Sequence, residues 1–249
     1  MHAERERERE SNASYHIYNK DCLDVLKNIP DNSIDLVVTD CPYKIVSGGC
    51  TNVPRKDEPS GIFNRRSAFT QQNAKSGKLF DHNDIEFKDW LSDVYRILKP
   101  DTHCYIMINS RNLKELQQEC ENVGFKFQQL IVWDKGNVTP NRYYLNSCEF
   151  ILMLRKGKAK NINNMGTKNI LKISNIIGNK NHPVEKPIEL MEVLVNNSSQ
   201  ENELVLDPFM GVGSTGLACI KNNRNFIGIE IDENYFNIAK SRLEEFNYD

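Results

Sequence analysis

Three groups of residues in this chain have types and spacings suited to chemistry. The first is Asp40-Cys41-Pro42-Tyr43, which comes directly after the apolar run Ile34 to Thr39. If that run is a strand of an open α/β sheet, its end faces the ligand crevice, and a carboxylate there can accept hydrogen bonds from a ligand. Pro42 removes a competing backbone donor and holds Cys41 extended. The second group is Asp207-Pro208-Phe209-Met210-Gly211-Val212-Gly213-Ser214-Thr215 after the apolar Leu204 to Leu206. It reads as a strand, a glycine turn and a helix start, where the backbone can approach a ligand closely and free N–H groups can bind an anion. Such a turn alone is an ordinary strand-to-helix connection. The next apolar run makes it more specific: Phe226 to Glu230 is a further strand ending in an acid, placed to take hydrogen bonds from two ribose hydroxyls. The third group is His182-Pro183-Val184-Glu185-Lys186-Pro187, two prolines around a charged pair, which by itself is explained as a rigid helix entry.

These groups need a frame. Short β-rich apolar runs alternate with stretches of helical period, the pattern of a mostly parallel sheet with helices on both faces. The strands predicted are His16 to Tyr18, Ile34 to Thr39, Cys104 to Ile108, Gln129 to Trp133, Glu149 to Leu154, Leu204 to Leu206 and Phe226 to Ile229, seven in all. Helices are predicted over Cys22 to Lys27, Phe87 to Leu98, Leu113 to Val123, Pro183 to Asn196, Ser214 to Asn222 and Glu233 to Phe246, with Asp232 as the cap of the last. Two stretches, about 44–83 and 156–181, break the alternation. They are rich in Gly, Asn, Ser and Lys and are read as functional insertions in a single domain over residues 14–249.

The chain has 249 residues, 39% of them hydrophobic and 27% charged, which suits one packed core and excludes a disordered or fibrous protein. Met1 to Ala13, an alternating Glu/Arg run ending in Ser-Asn-Ala, reads as an expression tag with its scar. No run approaches the length of a membrane span, and a cytoplasmic location is expected. Seven scattered cysteines without a C-x-x-C pair point to reduced thiols and no metal. The net charge is only −2, yet Lys44 to Phe80 carries seven basic residues against Asp57 and Glu58. From Ile151 to Val184 there are seven basic residues and no acid. Two basic segments flanking one site favour phosphate contact.

Asp40-Cys41-Pro42-Tyr43 resembles the Asp-Pro-Pro-Tyr signature of the DNA amino-methyltransferases, matching three of four positions. With Asp207-Pro-Phe-x-Gly-x-Gly, Gly228-Ile-Glu230 and His182-Pro-x-Glu-Lys-Pro, the order of motifs is similar to that of the permuted beta class, and the resemblance runs from about Tyr15 to Phe246. It implies a Rossmann-like class I S-adenosylmethionine-dependent methyltransferase with a seven-stranded, mostly parallel sheet. The implied catalytic residues are Asp40, Cys41, Pro42 and Tyr43. Those implied for S-adenosyl-L-methionine are Asp21, Asp207, Phe209, Gly211, Gly213, Ser214, Glu230, His182 and Lys186. Asp21 comes from Lys20-Asp21-Cys22-Leu23, where Lys20 stands in place of the family's usual glycine.

In this family the partner is double-stranded DNA, and the reaction expected is methylation of adenine N6. The Asp40 carboxylate and the Cys41 carbonyl would take the N–H bonds of the flipped base's amine, and Tyr43 would stack on its ring. Phe63, Phe69, Tyr143 and Tyr144 are further candidates to receive the base. Cytosine N4 remains the alternative, since the preference rests on Asp at the first motif position. A protein-glutamine or RNA methylase and a non-catalytic DNA-binding module are the other readings. Carbon-5 chemistry through a Cys41 thiolate lacks activating neighbours and has the wrong Cys-Pro order. A homodimer, a restriction partner and a phage origin are left open.

Overall fold

The computed structural model describes residues 13–43, 85–139, 143–176 and 185–248. The stretch read as a tag through Asn12, the stretch from Lys44 read as the first insertion with its Phe63 and Phe69, the end of the stretch read as the second, and His182 lie outside the described residues. Contacts divide the chain into a main unit, Met1–Cys41 with Glu86–Asp249, and a second unit, Pro42–Ile85. Pro42 and Tyr43, each half-buried, belong to the second.

The main unit is built on one sheet. Its strands are β1 (Tyr15–Asn19), β2 (Ile34–Asp40), β3 (Leu98–Ile108), β4 (Lys126–Thr139), β5 (Asn146–Lys156), β6 (Ile170–Lys172), β7 (Leu204–Asp207) and β8 (Asn225–Glu230). The helices among the described residues are α1 (Cys22–Leu26), α2 (Phe87–Ile97), α3 (Leu113–Asn122), α4 (Ile188–Ser198), α5 (Ser214–Lys221) and α6 (Glu233–Tyr248). The order across the sheet is β1-β8-β7-β2-β3-β5-β4-β6. Only β5 runs antiparallel to its neighbours, β3 and β4; every other pairing is parallel.

The sheet thus has one strand more than the seven expected. β6 lies inside the second stretch read as an insertion, and its burial pattern shows a single inward residue, Leu171. Three residues with one apolar contact carry no period, so this strand exists only because the edge of β4 is there to pair with it at Val132 to Asp134. The rest of that stretch also packs. Asn163 bonds through its backbone and side chain to the end of α4, and Lys160 offers its carbonyl to His103. β3, β4 and β5 all run longer than their apolar cores, because ladder pairing carries on through polar residues.

β2 is central, and six of its seven residues are buried, as expected of a strand covered on both faces. Leu36 and Val38 join Tyr105, Met107, Trp133, Ile151 and Met153 in the main core under Leu190, Met191, Leu194 and Val195 of α4. α2 buries Phe87, Trp90, Leu91, Val94 and Ile97, a stripe at helical period, and starts with a reciprocal cap between Glu86 and Asp89. Asp232 caps α6 by accepting from the N–H groups of Asn234 and Tyr235. α4 begins at Ile188 with Pro187 at its cap. No helix among the described residues is long and apolar enough to cross a membrane.

Five parallel strand ends therefore share one edge: Asn19, Asp40, Ile108, Asp207 and Glu230. Since β4 runs in the same sense, its connection to β5 also leaves from this carboxyl edge.

Candidate active site

Asp40, the last residue of β2, keeps 24% of its side chain exposed and receives Lys186 Nζ on Oδ2 at 2.5 Å. Among the described residues nothing donates to its Oδ1. Burial raises the Asp40 carboxyl above its ordinary range; Lys186 opposes that, while Glu149 adds to it. The resemblance implies Lys186 for the cofactor, and the structure seats its ammonium on Asp40. That ammonium also lies 3.5 Å from Glu149 Oε2, and Glu149 Oε1 lies 3.1 Å from Lys135 Nζ. The result is a line of alternating charges, Asp40, Lys186, Glu149 and Lys135. Burial would raise Glu149, but Lys186 and Lys135 together hold it below its ordinary value.

Asp207 ends β7, next to β2, and is fully enclosed. Thr39 Oγ1 donates to its Oδ1 and Thr215 Oγ1 to its Oδ2, both at 2.7 Å, and the Phe209 N–H adds a third bond to Oδ1. Burial pushes its carboxyl up to about 6 in spite of these three donors. Its oxygens tie the glycine turn at Phe209 and Thr215 to Thr39 of β2. In that turn Gly213 has φ +82° and stands so close to Ala239 that a Cβ would lie 3.1 Å from the Ala239 Cβ. Gly211 has φ +53°, and among the described residues a Cβ there would meet nothing within 4 Å. The turn is thus packed on its helix side at Gly213 and open at Gly211.

Glu230 closes the other side of the turn. Its Oε2 takes the Gly211 N–H at 2.9 Å and its Oε1 the Asp232 N–H at 2.8 Å. Both oxygens are oriented by backbone and retain lone pairs for outside donors. Ser214, 6% exposed at the start of α5, has a buried hydroxyl without a partner among the described residues. An open glycine, an orphaned hydroxyl at a helix start and a fixed carboxylate suit a ligand bearing an anionic group and a diol, as S-adenosylmethionine does.

Three supports were not read from the sequence. Arg242 of α6 donates to the Val212 carbonyl at 2.6 Å and pairs with Glu185 at 2.9 Å, joining the glycine turn to the segment that carries Lys186. Trp90 stands edge-on to Phe209, with ring centroids 5.1 Å apart. Glu149 and Lys135 complete the charge line. Asp21 has a local job: its carboxylate accepts the Leu23 N–H and caps α1, and the residue is exposed. The Cys41 thiol is buried against the Met107 carbonyl, and burial raises it well above the ordinary thiol range, so it is no nucleophile. The six cysteines among the described residues are free.

The comparisons with known proteins agree with this geometry. The DNA methylase family profile of the N6/N4 type matches residues 34–241. The chain is 29% identical over 251 residues to the type II methyltransferase M2.MboI of Moraxella bovis, covering 93% of this chain and 88% of that protein. It is 28% identical to the type II methyltransferase M2.DpnII of Streptococcus pneumoniae, covering 93% and 90%. Among solved structures it is similar to the M1.HpyAVI complex with S-adenosylmethionine, at TM-score 0.66 and 28% identity over 92% of this chain and all of that one. The cytosine-N4-specific PvuII DNA methyltransferase shares the fold at TM-score 0.66 with 18% identity. With a family match over most of its length, and with the Asp40 strand placed ahead of the glycine turn in sequence but beside it in the sheet, this chain belongs to the N6/N4 DNA methylase family.

Proposed function

We propose that this protein transfers a methyl group from S-adenosylmethionine to the N6 amine of adenine in duplex DNA, as a modification enzyme similar to the type II methyltransferases. The observation that carries the reading is Asp40: a carboxylate at the carboxyl end of β2, one strand away from the glycine turn, with one oxygen held by a buried ammonium and the other without a donor among the described residues. When bound, S-adenosylmethionine supplies an electrophilic methyl on a sulfonium. Glu230 would hold its ribose, and Ser214 with the α5 start its carboxylate.

The amine of a base is a weak nucleophile because its lone pair is delocalised into the ring. Asp40 Oδ1 and the Cys41 carbonyl would accept its two N–H bonds and aim the lone pair at the methyl carbon. The nitrogen would gain its bond to the methyl carbon as that carbon's bond to sulfur breaks, the sulfonium leaving as a neutral thioether, and Asp40 would take one N–H proton from the positively charged nitrogen and pass it to water. Tyr43 would stack on the base. Tyr143 and Tyr144, 81% and 89% exposed on the connection between β4 and β5, extend from the same edge and are surfaces for the duplex from which the base is turned out.

The test is nucleoside analysis of DNA treated with the purified protein and labelled cofactor. N6-methyladenine is expected. N4-methylcytosine alone would move the assignment to the other amine, and label retained on protein or RNA but not on DNA would overturn the reading.

A further inference from the structure

We propose that Glu149 and Lys135 are positioning residues of this site: through Lys186 they fix which oxygen of Asp40 is left for the substrate amine. The inference rests on the methyl-transfer reading above and adds two residues to it.

The geometry is a closed line with one open end. Lys186 Nζ touches Asp40 Oδ2 at 2.5 Å and Glu149 Oε2 at 3.5 Å, and Lys135 Nζ holds Glu149 Oε1 at 3.1 Å. The two lysine side chains are 8% and 10% exposed, so neither ammonium leans into bulk water. Two cations and two anions alternate, and the line is neutral as a whole.

Its far end is the rigid one. Trp133 pairs with Glu149 and Asp134 with Cys148 across β4 and β5, and the Trp133 indole donates to the Ile173 carbonyl at 2.8 Å. On the other side the Asn175 N–H donates to the Lys135 carbonyl. Glu149 is therefore placed by ladder pairing, and Lys135 follows Asp134, where that pairing shifts register, with its carbonyl held by Asn175; Lys186 reaches Asp40 from the segment ahead of α4. Glu149 draws Lys186 toward β5 and keeps it on one oxygen of Asp40. With Glu149 uncharged, the ammonium would centre on Asp40 and compete with the amine for both oxygens.

The charged groups that face Asp40 are Lys186 from the segment before α4, Glu149 from β5 and Asp207 from β7; the Cys41 thiol is neutral. Asp40 must be ionised to take up the amine's proton, so the acid limb of the rate profile reports on it. Glu149 raises the Asp40 carboxyl and Lys186 lowers it. Glu149→Gln therefore moves the acid limb to lower pH. Lys135→Met leaves Glu149 to draw Lys186 off Asp40 and moves the limb to higher pH. The opposite signs separate positioning from a merely structural role.

The experiment uses the full chain, labelled S-adenosylmethionine and genomic DNA from a strain without its own methylases. Glu149→Gln is expected to lower the single-turnover rate by about tenfold to a hundredfold, with KM for both substrates little changed. The acid limb should move down in Glu149→Gln and up in Lys135→Met. Carboxylate-carbon NMR, with Asp40 assigned by its loss in Asp40→Asn, should show the same opposite displacements without DNA. That readout does not depend on turnover, so a wild type that methylates no DNA would defeat the functional reading, while unmoved titration in an active enzyme would defeat this one. Loss of rate with the Asp40 titration unmoved, displacements of the same sign, or wild-type behaviour in both variants would overturn the proposal. If one variant fails to fold, the sign in the other decides.

Discussion

The two edges of the sheet are made from the same kinds of residue and finished in opposite ways. At the amino edge Lys156 donates to Asn32 and to the carbonyls of Tyr95, Arg96 and Leu98 at 2.7 to 3.2 Å, and lies over the Tyr95 ring. Arg96 reaches the carbonyls of Ile29 and Leu26 as well as Asp31 and Asp93. His103 is bonded at both ring nitrogens, to Ser198 and to the Lys160 carbonyl. These polar networks close on themselves. At the carboxyl edge, among the described residues, Asp40 keeps an oxygen free, Ser214 a hydroxyl, and Gly211 an open flank. A closed network only holds the fold, while an open one leaves capacity for a ligand. Substitutions at the two edges should therefore fail in different assays.

Asp40→Ala removes the acceptor on which the open edge depends. Its transfer rate should fall by about a hundredfold to a thousandfold, with cofactor affinity nearly unchanged. Radiolabel transfer to DNA beside calorimetric titration of the cofactor measures both. A rate close to wild type would remove Asp40 from the chemistry.

Lys156→Met is the counterpart at the closed edge. Three carbonyls near the end of α2 would lose a charged donor at the helix's negative pole, costing about 2 kcal/mol, or roughly 5 °C in Tm. The transfer rate per folded molecule should stay at the wild-type value. A large loss of rate at unchanged Tm would show that the edges are not divided in this way.

The same division explains which residues were legible in the sequence. Asp40, Asp207 and Glu230 were, because each comes at the end of an apolar run, and a run of period two fixes where its last residue points. Lys135 and Glu149 were not. They stand two residues past Trp133 and two before Ile151, and become a pair only through the antiparallel register of β4 and β5, which no local pattern specifies. Arg242 is similar: on α6 it reads as surface charge until that helix is laid against Val212 and Glu185. Lys186 was found through its motif, but its contact with Asp40 was not, since a linear motif does not say which strand its lysine will meet. β6 was missed because its stretch, Lys-rich and without period, resembles a loop in composition.

Within the open edge Glu230→Ala sharpens the contrast between cofactor and chemistry. Removing a carboxylate fixed by two N–H groups should weaken S-adenosylmethionine binding by about tenfold to a hundredfold. The rate at saturating cofactor should fall much less than in Asp40→Ala. An unchanged dissociation constant would take Glu230 out of the ribose site.

The smallest effect is expected from His103, where closure has a pH dependence. Burial lowers its imidazole below the ordinary value, an effect only partly offset by its bond to the Lys160 carbonyl. Its Nε2–H donates to that carbonyl, so Nδ1 accepts from Ser198, whose oxygen in turn accepts from Tyr105. This arrangement needs the neutral ring. As pH falls through the ordinary histidine value, the unfolded chain takes up a proton that the folded chain resists, so the stability present at higher pH is lost on acidification. Tm should drop between about pH 7 and pH 5, and His103→Gln should flatten part of that drop. The change should be smaller than that from Lys156→Met, because only one group titrates. Identical slopes in the two proteins would mean that the closed edge tolerates a charged imidazole, and the contrast with Asp40, a group that must carry its charge to work, would then rest on the lysines alone.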